Sequence, residues 1–166
     1  KQIPKLLLRQ TRLVPVGGSN AATTLGYVNA ALELADDLEQ KRCLAPEAIF
    51  VALGTGGTAA GLALGLALAG LPIPVIAVRI TEAAYANYHR VLRLARGAAH
   101  LLGIPLPPLL LEIEPHFYGG YACPIPSSLV AYECFLAREG LELDHTYTAK
   151  TAAALALAVY VVVVCG

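Results

Sequence analysis

Apolar residues along this chain come in short uniform runs that alternate with longer stretches of helical period. Ile49-Phe50-Val51-Ala52-Leu53 is apolar throughout, and Val75–Ile80 is interrupted only by Arg79. The first runs into Gly54 and the second follows Pro74, which predicts strands buried on both faces of a parallel sheet. Between them the residues from about Thr58 to Ala69 read as a helix. Upstream, Leu25, Val28, Leu32, Ala35 and Leu38 recur at helical spacing, with Glu33, Asp36, Asp37 and Glu39 on other faces and Thr23 or Thr24 as the cap. Before that helix, Leu13–Val16 reads as a short strand running into the turn Gly17-Gly18-Ser19-Asn20. Downstream, a long amphipathic helix is expected from about Thr81 to Leu102, with Tyr85, Tyr88, Leu92, Ala95 and Leu102 on or near one face. Pro105, Pro107 and Pro108 lead into a β-like run at Leu109–Ile113, and Ser127 or Ser128 opens a helix that Gly140 closes after Glu139. Tyr147-Thr148-Ala149-Lys150 leads into an alanine-rich helix, and Val159–Val164 reads as a last, β-branched strand. Strands alternating with helices predict an α/β fold with an open, mainly parallel sheet and helices on both faces.

Composition narrows the setting. A chain of 166 residues is one domain by default. With 12 basic and 12 acidic residues the formal net charge is +0, which gives no electrostatic support for a nucleic-acid partner or an anionic membrane surface. The mean hydropathy of +0.61 is high, and Ala48–Val78 carries no charge. Gly57, Gly61 and Gly65 repeat at the four-residue step used by packed membrane helices. Pro72, Pro74 and the Gly54–Gly57 turn nonetheless cut the run into pieces too short to cross a bilayer as a helix, so a soluble reading is preferred, with the glycine-lined helix lying close against the sheet. Cys43, Cys123, Cys134 and Cys165 are scattered without a CxxC, as expected of reduced cytosolic thiols, and Cys123 is expected to be buried and inert. His89, His100, His116 and His145 show no metal-ligand spacing.

Candidate chemistry concentrates where the first strand meets its helix. Gly54, Gly56 and Gly57 allow backbone N–H groups to turn inward, Thr55 and Thr58 add hydroxyls, and the following helix presents its positive end to the same spot. The natural guest is a phosphate, although glycine turns after strands are also common for purely structural reasons. The loop is not a Walker A sequence, and Ala59 breaks a GxGxxG spacing. Glu112 and Glu114 alternate on a strand and so share a face, more simply an exposed face than a carboxylate pair. Ser19 has no neighbouring histidine to activate it.

Several landmarks stand together in order. They are Val14-Pro15-Val16-Gly17-Gly18-Ser19-Asn20 with Leu25-Gly26-Tyr27-Val28-Asn29-Ala30, then Gly54-Thr55-Gly56-Gly57-Thr58, Tyr118-Gly119-Gly120-Tyr121, Glu139-Gly140-Leu141 and Tyr147-Thr148-Ala149-Lys150. In this order the chain resembles the D-cysteine desulfhydrase / 1-aminocyclopropane-1-carboxylate deaminase family of pyridoxal-phosphate enzymes, which has the tryptophan synthase β-like fold, or fold type II. The resemblance implies that residues 1–166 are part of the large, cofactor-binding domain, and that the coenzyme lysine lies in an upstream part outside this chain. Lys1 and Lys5 lack its motif, and Lys150 does not stand at its place.

By the same resemblance, Gly54, Thr55, Gly56, Gly57 and Thr58 hold the phosphate of pyridoxal 5′-phosphate. Tyr147 stacks on the pyridine ring, Thr148 meets the ring nitrogen, and Tyr121 faces the substrate, so Tyr121 and Tyr147 are the catalytic candidates. Glutamate marks the deaminase branch at the position of Thr148, so threonine favours desulfhydrase. The implied reaction is β-elimination of D-cysteine to pyruvate, sulfide and ammonia. The alternatives are 1-aminocyclopropane-1-carboxylate deamination, or a non-catalytic fragment that binds the cofactor or phosphate. The expected setting is a cytoplasmic homodimer acting on a small amino acid, with no metal, nucleic acid or membrane. Ala59, Ala122 and Ala149 depart from the family pattern, which usually has a polar residue or glycine there.

Overall fold

Three of the apolar runs pair as one parallel sheet. Strands β1 (Ile49–Leu53), β2 (Val75–Arg79) and β3 (Leu111–Glu114) lie side by side in that order. Ile49 stands opposite Val75, Leu53 opposite Arg79, and Val78 opposite Glu114. The helices are α1 (Ala21–Glu39), α2 (Gly57–Leu68), α3 (Tyr88–Leu101), α4 (Pro126–Glu139) and α5 (Thr148–Cys165). The computed structural model describes residues 14–165, with side chains as far as Val159.

Strand alternation divides the core in two. Ile49, Val51, Leu53, Val75 and Ala77 pack on one side of the sheet with Ala59, Ala63 and Leu66 of α2 and Val91 and Leu94 of α3. Phe50 and Val78 point the other way, onto Ala131 and Phe135 of α4 and Ala152, Ala153 and Ala154 of α5. Both faces are therefore covered, which is why β1 and β2 are apolar at successive positions, whereas β3 alternates with Glu112 and Glu114.

The uncharged run is accounted for by this packing. A Cβ added at Gly61 would sit 2.5 Å from both the Thr24 carbonyl oxygen and Tyr27 Cβ, and one at Gly65 would sit 2.6 Å from Ala31 Cβ. The glycine stripe thus brings α2 against α1, not against the sheet as the sequence reading expected. Among the described residues no helix is long and apolar enough to cross a membrane.

Several expected boundaries move. The cap of α1 is Asn20, whose side chain accepts from the amides of Ala22 and Thr23, while Thr23 reaches back to the Asn20 amide. A side chain that closes this reciprocal box outcompetes Thr23 or Thr24 as a start. The buried face of α1 is Thr24, Val28 and Ala31, and Leu32 is exposed. Val14–Val16 forms no strand. Val16–Gly18 is a short 3-10 turn, and Leu13 lies outside the described residues. Helix α3 starts at Tyr88 rather than Thr81, because Asn87 caps it by accepting from the Arg90 amide at 2.9 Å. Its buried face is Val91, Leu94, Ala95, Ala98 and Ala99, so Tyr85, Tyr88 and Leu102 are exposed. The expected strand at Val159–Val164 is instead the end of α5. Neither Gly nor Pro separates Ala158 from Val159, so a helix already nucleated at Thr148 runs on, and each valine costs it only a few tenths of a kcal/mol, at most about 0.7. Cys123 is exposed, not buried.

Candidate functional site

At the carboxyl ends of β1 and β2 a cleft of about 890 Å³ opens between the β1–α2 loop and the start of α5. Crevices in that position are where open parallel sheets take ligands. Gly54, Thr55, Gly56, Gly57, Thr58, Tyr121, Tyr147 and Thr148 all line it. Residues spread over nearly a hundred positions of sequence therefore meet in one cavity.

The loop wall is built from backbone. Gly56 has φ of +92°, a conformation that β-carbon-bearing residues rarely adopt, and this reverses the chain from strand into helix. Helix α2 has no side-chain cap. Among the described residues no acceptor is paired with the amides of Thr55, Gly56, Gly57, Thr58 or Ala59. Unpaired amides ahead of a helix, opening onto a cavity, make a ready anion cradle. Side chains at the glycines would close it: a Cβ at Gly57 would stand 2.8 Å from Ser19 Oγ, and one at Gly17 would collide with the Thr55 side chain. Ser19 Oγ and Thr55 Oγ1 are hydrogen-bonded at 2.5 Å. The Ser19 hydroxyl also donates to the Gly17 carbonyl oxygen at 3.4 Å. None of the cleft-lining residues is Lys, Arg or His.

The opposite wall rests on polar contacts. The hydroxyls of Tyr121 and Tyr147 are 2.6 Å apart, with their rings edge to face at 6.2 Å. The Tyr121 hydrogen bond, aided by partial burial and by the nearby negative charge of Asp144, lifts the Tyr147 phenol above its ordinary range. Asp144 fixes the start of α5. Its Oδ1 accepts from the amides of Thr146 (2.9 Å) and Tyr147 (2.7 Å), and its Oδ2 from the amide (2.9 Å) and hydroxyl (2.7 Å) of Thr148. The Thr148 hydroxyl also accepts from the Asp144 amide at 2.8 Å. As it stands, that hydroxyl has spent its proton on Asp144 and offers the cleft a lone pair.

Lys150 is fully buried behind this wall, and its Nζ donates to the carbonyls of Tyr118 and Gly120, each at 2.6 Å. Burial pulls its pKa down. The two bonds pin the loop that carries Tyr121. Tyr118 in turn donates from its hydroxyl to Glu82 Oε1 at 3.0 Å, and Thr81 donates to Glu82 Oε2 at 2.8 Å. The Thr81 hydroxyl, the Glu82 amide and the Tyr118 hydroxyl hold the Glu82 carboxyl below its ordinary value. Burial, and the bond and charge of Glu82, raise the Tyr118 phenol.

Sequence reasoning missed the roles of Ser19, Glu82, Asp144 and Lys150. Asp144 carried a signal, an acidic residue just ahead of an alanine-rich helix. Glu82 and Lys150 carried none, because their partners lie 36, 32 and 30 residues away. Among the described residues no cluster of His, Cys, Asp and Glu is arranged to hold a metal.

Comparison with known proteins gives the family and the fold. The profile of a family described as "Pyridoxal-phosphate dependent enzyme" matches residues 5–166. A protein named D-cysteine desulfhydrase from Klebsiella pneumoniae is 33% identical over 143 residues, which cover 86% of this chain and 43% of that protein. A D-cysteine desulfhydrase from Salmonella schwarzengrund matches with the same identity and coverage. A solved structure described as an ACC deaminase homologue superposes with a TM-score of 0.76 at 31% identity, covering 90% of this chain and 45% of the other. The chain thus spans less than half the length of these relatives, and its fold is that of the fold type II enzymes.

Proposed function

The chain belongs to the family of pyridoxal-phosphate dependent enzymes, and from that premise we propose that it forms the coenzyme-phosphate side of a lyase of D-cysteine desulfhydrase type. The reaction is β-elimination: D-cysteine and water give pyruvate, sulfide and ammonia. The observation that carries the reading is the set of unpaired amides at Thr55–Thr58, residues that line the same cleft as Tyr121, Tyr147 and Thr148.

The residues present fit pyridoxal 5′-phosphate. The amides of Gly56, Gly57 and Thr58, the Thr58 hydroxyl and the positive end of α2 would hold its phosphate. Tyr147 would lie against its ring, and the Thr148 lone pair would meet a protonated ring nitrogen. When bound, the coenzyme supplies an electron sink for the charge that develops at the substrate α-carbon. Tyr121 Oη and Tyr147 Oη share one hydrogen bond between two hydroxyl protons. The second proton is free to be donated to a departing thiolate sulfur. Glu82 leaves the cleft without a site for an acidic substrate side chain on that flank.

The solved relative described as an ACC deaminase homologue favours a second reading, 1-aminocyclopropane-1-carboxylate deamination. Thr148 weighs against it by the family resemblance, and Thr148→Glu is the substitution that probes the branch. A small amino-acid substrate, a homodimer and a cytoplasmic setting belong to the same proposal. Light scattering that returned a monomer would remove the dimer.

The test has two parts. Titrating the chain with pyridoxal 5′-phosphate, read by tyrosine fluorescence, should give saturable binding that Thr58→Val weakens. The full-length parent should release sulfide and pyruvate in equal amounts from D-cysteine. Binding without turnover of either D-cysteine or 1-aminocyclopropane-1-carboxylate in the parent would leave only the non-catalytic alternative. No binding at all would end the cofactor assignment.

A further inference from the structure

Behind the anion cradle, on the side away from the cleft, α3 carries a cation that the proposed reaction does not use. Arg90 Nε donates to the Thr55 carbonyl oxygen at 2.9 Å, across 35 residues of sequence. Arg90 lies in the first turn of α3, and its own amide is held by the Asn87 cap at 2.9 Å, so the residue making the contact is anchored from below. The Thr55–Gly56 peptide is trans, as all are among the described residues. In a trans peptide the C=O and N–H point in opposite directions. Holding the oxygen toward α3 therefore turns the Gly56 N–H the other way, toward the cleft that Gly56 lines. The α-carbon of Gly56 is pressed against the same helix: an added Cβ would stand 3.1 Å from Val91 Cγ2 and 3.6 Å from Leu94 Cδ1. The loop is thus backed by α3 along this stretch, and its orientation is set from behind.

Charge adds to geometry. The cleft lining holds no Lys, Arg or His, so no cationic side chain of that lining balances a phosphate. Among the described residues, Arg90 is the cationic side chain that hydrogen-bonds to the Gly54–Thr58 loop.

We propose that Arg90 is a positioning residue for a phosphate at this loop: its bond to the Thr55 carbonyl aims the Gly56 amide into the cradle, and its charge favours the anion from behind. This rests on the cofactor reading, but the experiment separates the two. The whole chain is titrated with inorganic phosphate and with pyridoxal 5′-phosphate by calorimetry, in the native form and as Arg90→Met and Arg90→Lys. Arg90→Met should weaken both ligands by about 10- to 100-fold, the range for a hydrogen bond involving a charged group. Arg90→Lys, which keeps a charge and a donor, should recover most of the loss, as a purely packing role would not. A measurement that needs no variant accompanies these: the Gly56 amide resonance of the ¹⁵N-labelled native chain should move downfield as phosphate is added. If the native chain binds phosphate while Gly56 stays unshifted, or Arg90→Met binds as tightly as native, the positioning role is overturned and the cofactor reading stands. If the native chain binds neither ligand, the cofactor reading falls and takes this role with it.

Discussion

Removing the Asp144 carboxylate tests how the Tyr147–Thr148 wall is held. Asp144 accepts three backbone amides and one hydroxyl at the start of α5, groups that would otherwise face water or nothing. Four charge-assisted bonds do not add at full strength here, because the carboxylate is exposed and water competes for it. The measured worth of a helix cap is the better guide, so Asp144→Ala should cost about 1–2 kcal/mol. For a chain of 166 residues that corresponds to a melting point lower by about 5 °C. The pH dependence follows from the sign of the pKa change. Burial would raise the carboxyl, but the Thr148 amide and hydroxyl and the amides of Tyr147 and Thr146 outweigh it, leaving the group below its ordinary value of 3.8. A folded state that binds the proton less tightly than the unfolded chain is stabilised above that ordinary value. The stabilisation disappears as the pH falls through the lower, folded value. Melting curves of native protein, Asp144→Ala and Asp144→Asn at pH 7 and again near pH 3 provide the assay. The gap between native and variant should be full at pH 7 and shrink at acid pH. A gap that is absent at pH 7, or that persists unchanged into acid, refutes the capping argument.

Other substitutions probe separate parts of the fold. Helix α1 ends with Lys41 at φ of +56°, with the Lys41 amide bonded to the Leu38 carbonyl and the Arg42 amide to the Asp37 carbonyl. That is a Schellman closure with lysine where glycine is preferred, so Lys41→Gly should stabilise by about 1 kcal/mol in urea titrations. A loss of stability would show that the lysine side chain contributes more than its backbone strain costs. Gly61→Ala should destabilise by about 1–3 kcal/mol despite alanine's better helix propensity, because its methyl meets α1 backbone. A neutral or stabilising result would mean that α1 and α2 separate freely. Lys150→Met strands two carbonyls and should cost about 2 kcal/mol after allowing for relief of the buried charge. The loop at Tyr118–Tyr121 should then become the first site cut in limited proteolysis, and an unchanged cleavage pattern would contradict the clamp.

The parts of this structure that were legible in the sequence are those specified locally. β1, β2, α2 and α4 announce themselves because Gly or Pro stands at one end or both of each run, and the phosphate-type loop is contiguous, so its residues could be named together. The failures share a cause. Thr81-Glu82 has the composition of a helix start, yet Tyr118 binds Glu82 and Arg79 Nε binds the Ala86 carbonyl at 2.9 Å, holding the segment as a turn until Asn87 caps the helix. Val159–Val164 has the composition of a strand, but helix continuity from Ala158 overrode β-propensity. Tyr121 and Tyr147 were assigned to one site through family resemblance. Nothing in their local sequence foretells that their hydroxyls meet across 26 residues.

The two walls of the cleft are made of different material, and this has a consequence for how the site fails. The loop wall is backbone, backed by close packing of α1, α2 and α3, where Gly56, Gly61 and Gly65 leave no room for a methyl group without displacement. Contacts of that kind are insensitive to pH and salt. The Tyr121–Tyr147 wall hangs on polar contacts, those of the exposed Asp144, the buried Lys150 and the Tyr118–Glu82 bond. Damage to the polar wall should therefore abolish substrate-side chemistry while leaving anion affinity at Gly54–Thr58 intact, since no hydrogen bond among the described residues ties one wall to the other. The converse also holds: among the described residues the side-chain hydrogen bonds of Arg90 and Ser19 go to Thr55 and Gly17 and none to the polar wall, so substitutions there should weaken the anion site and leave the raised Tyr147 phenol where it is.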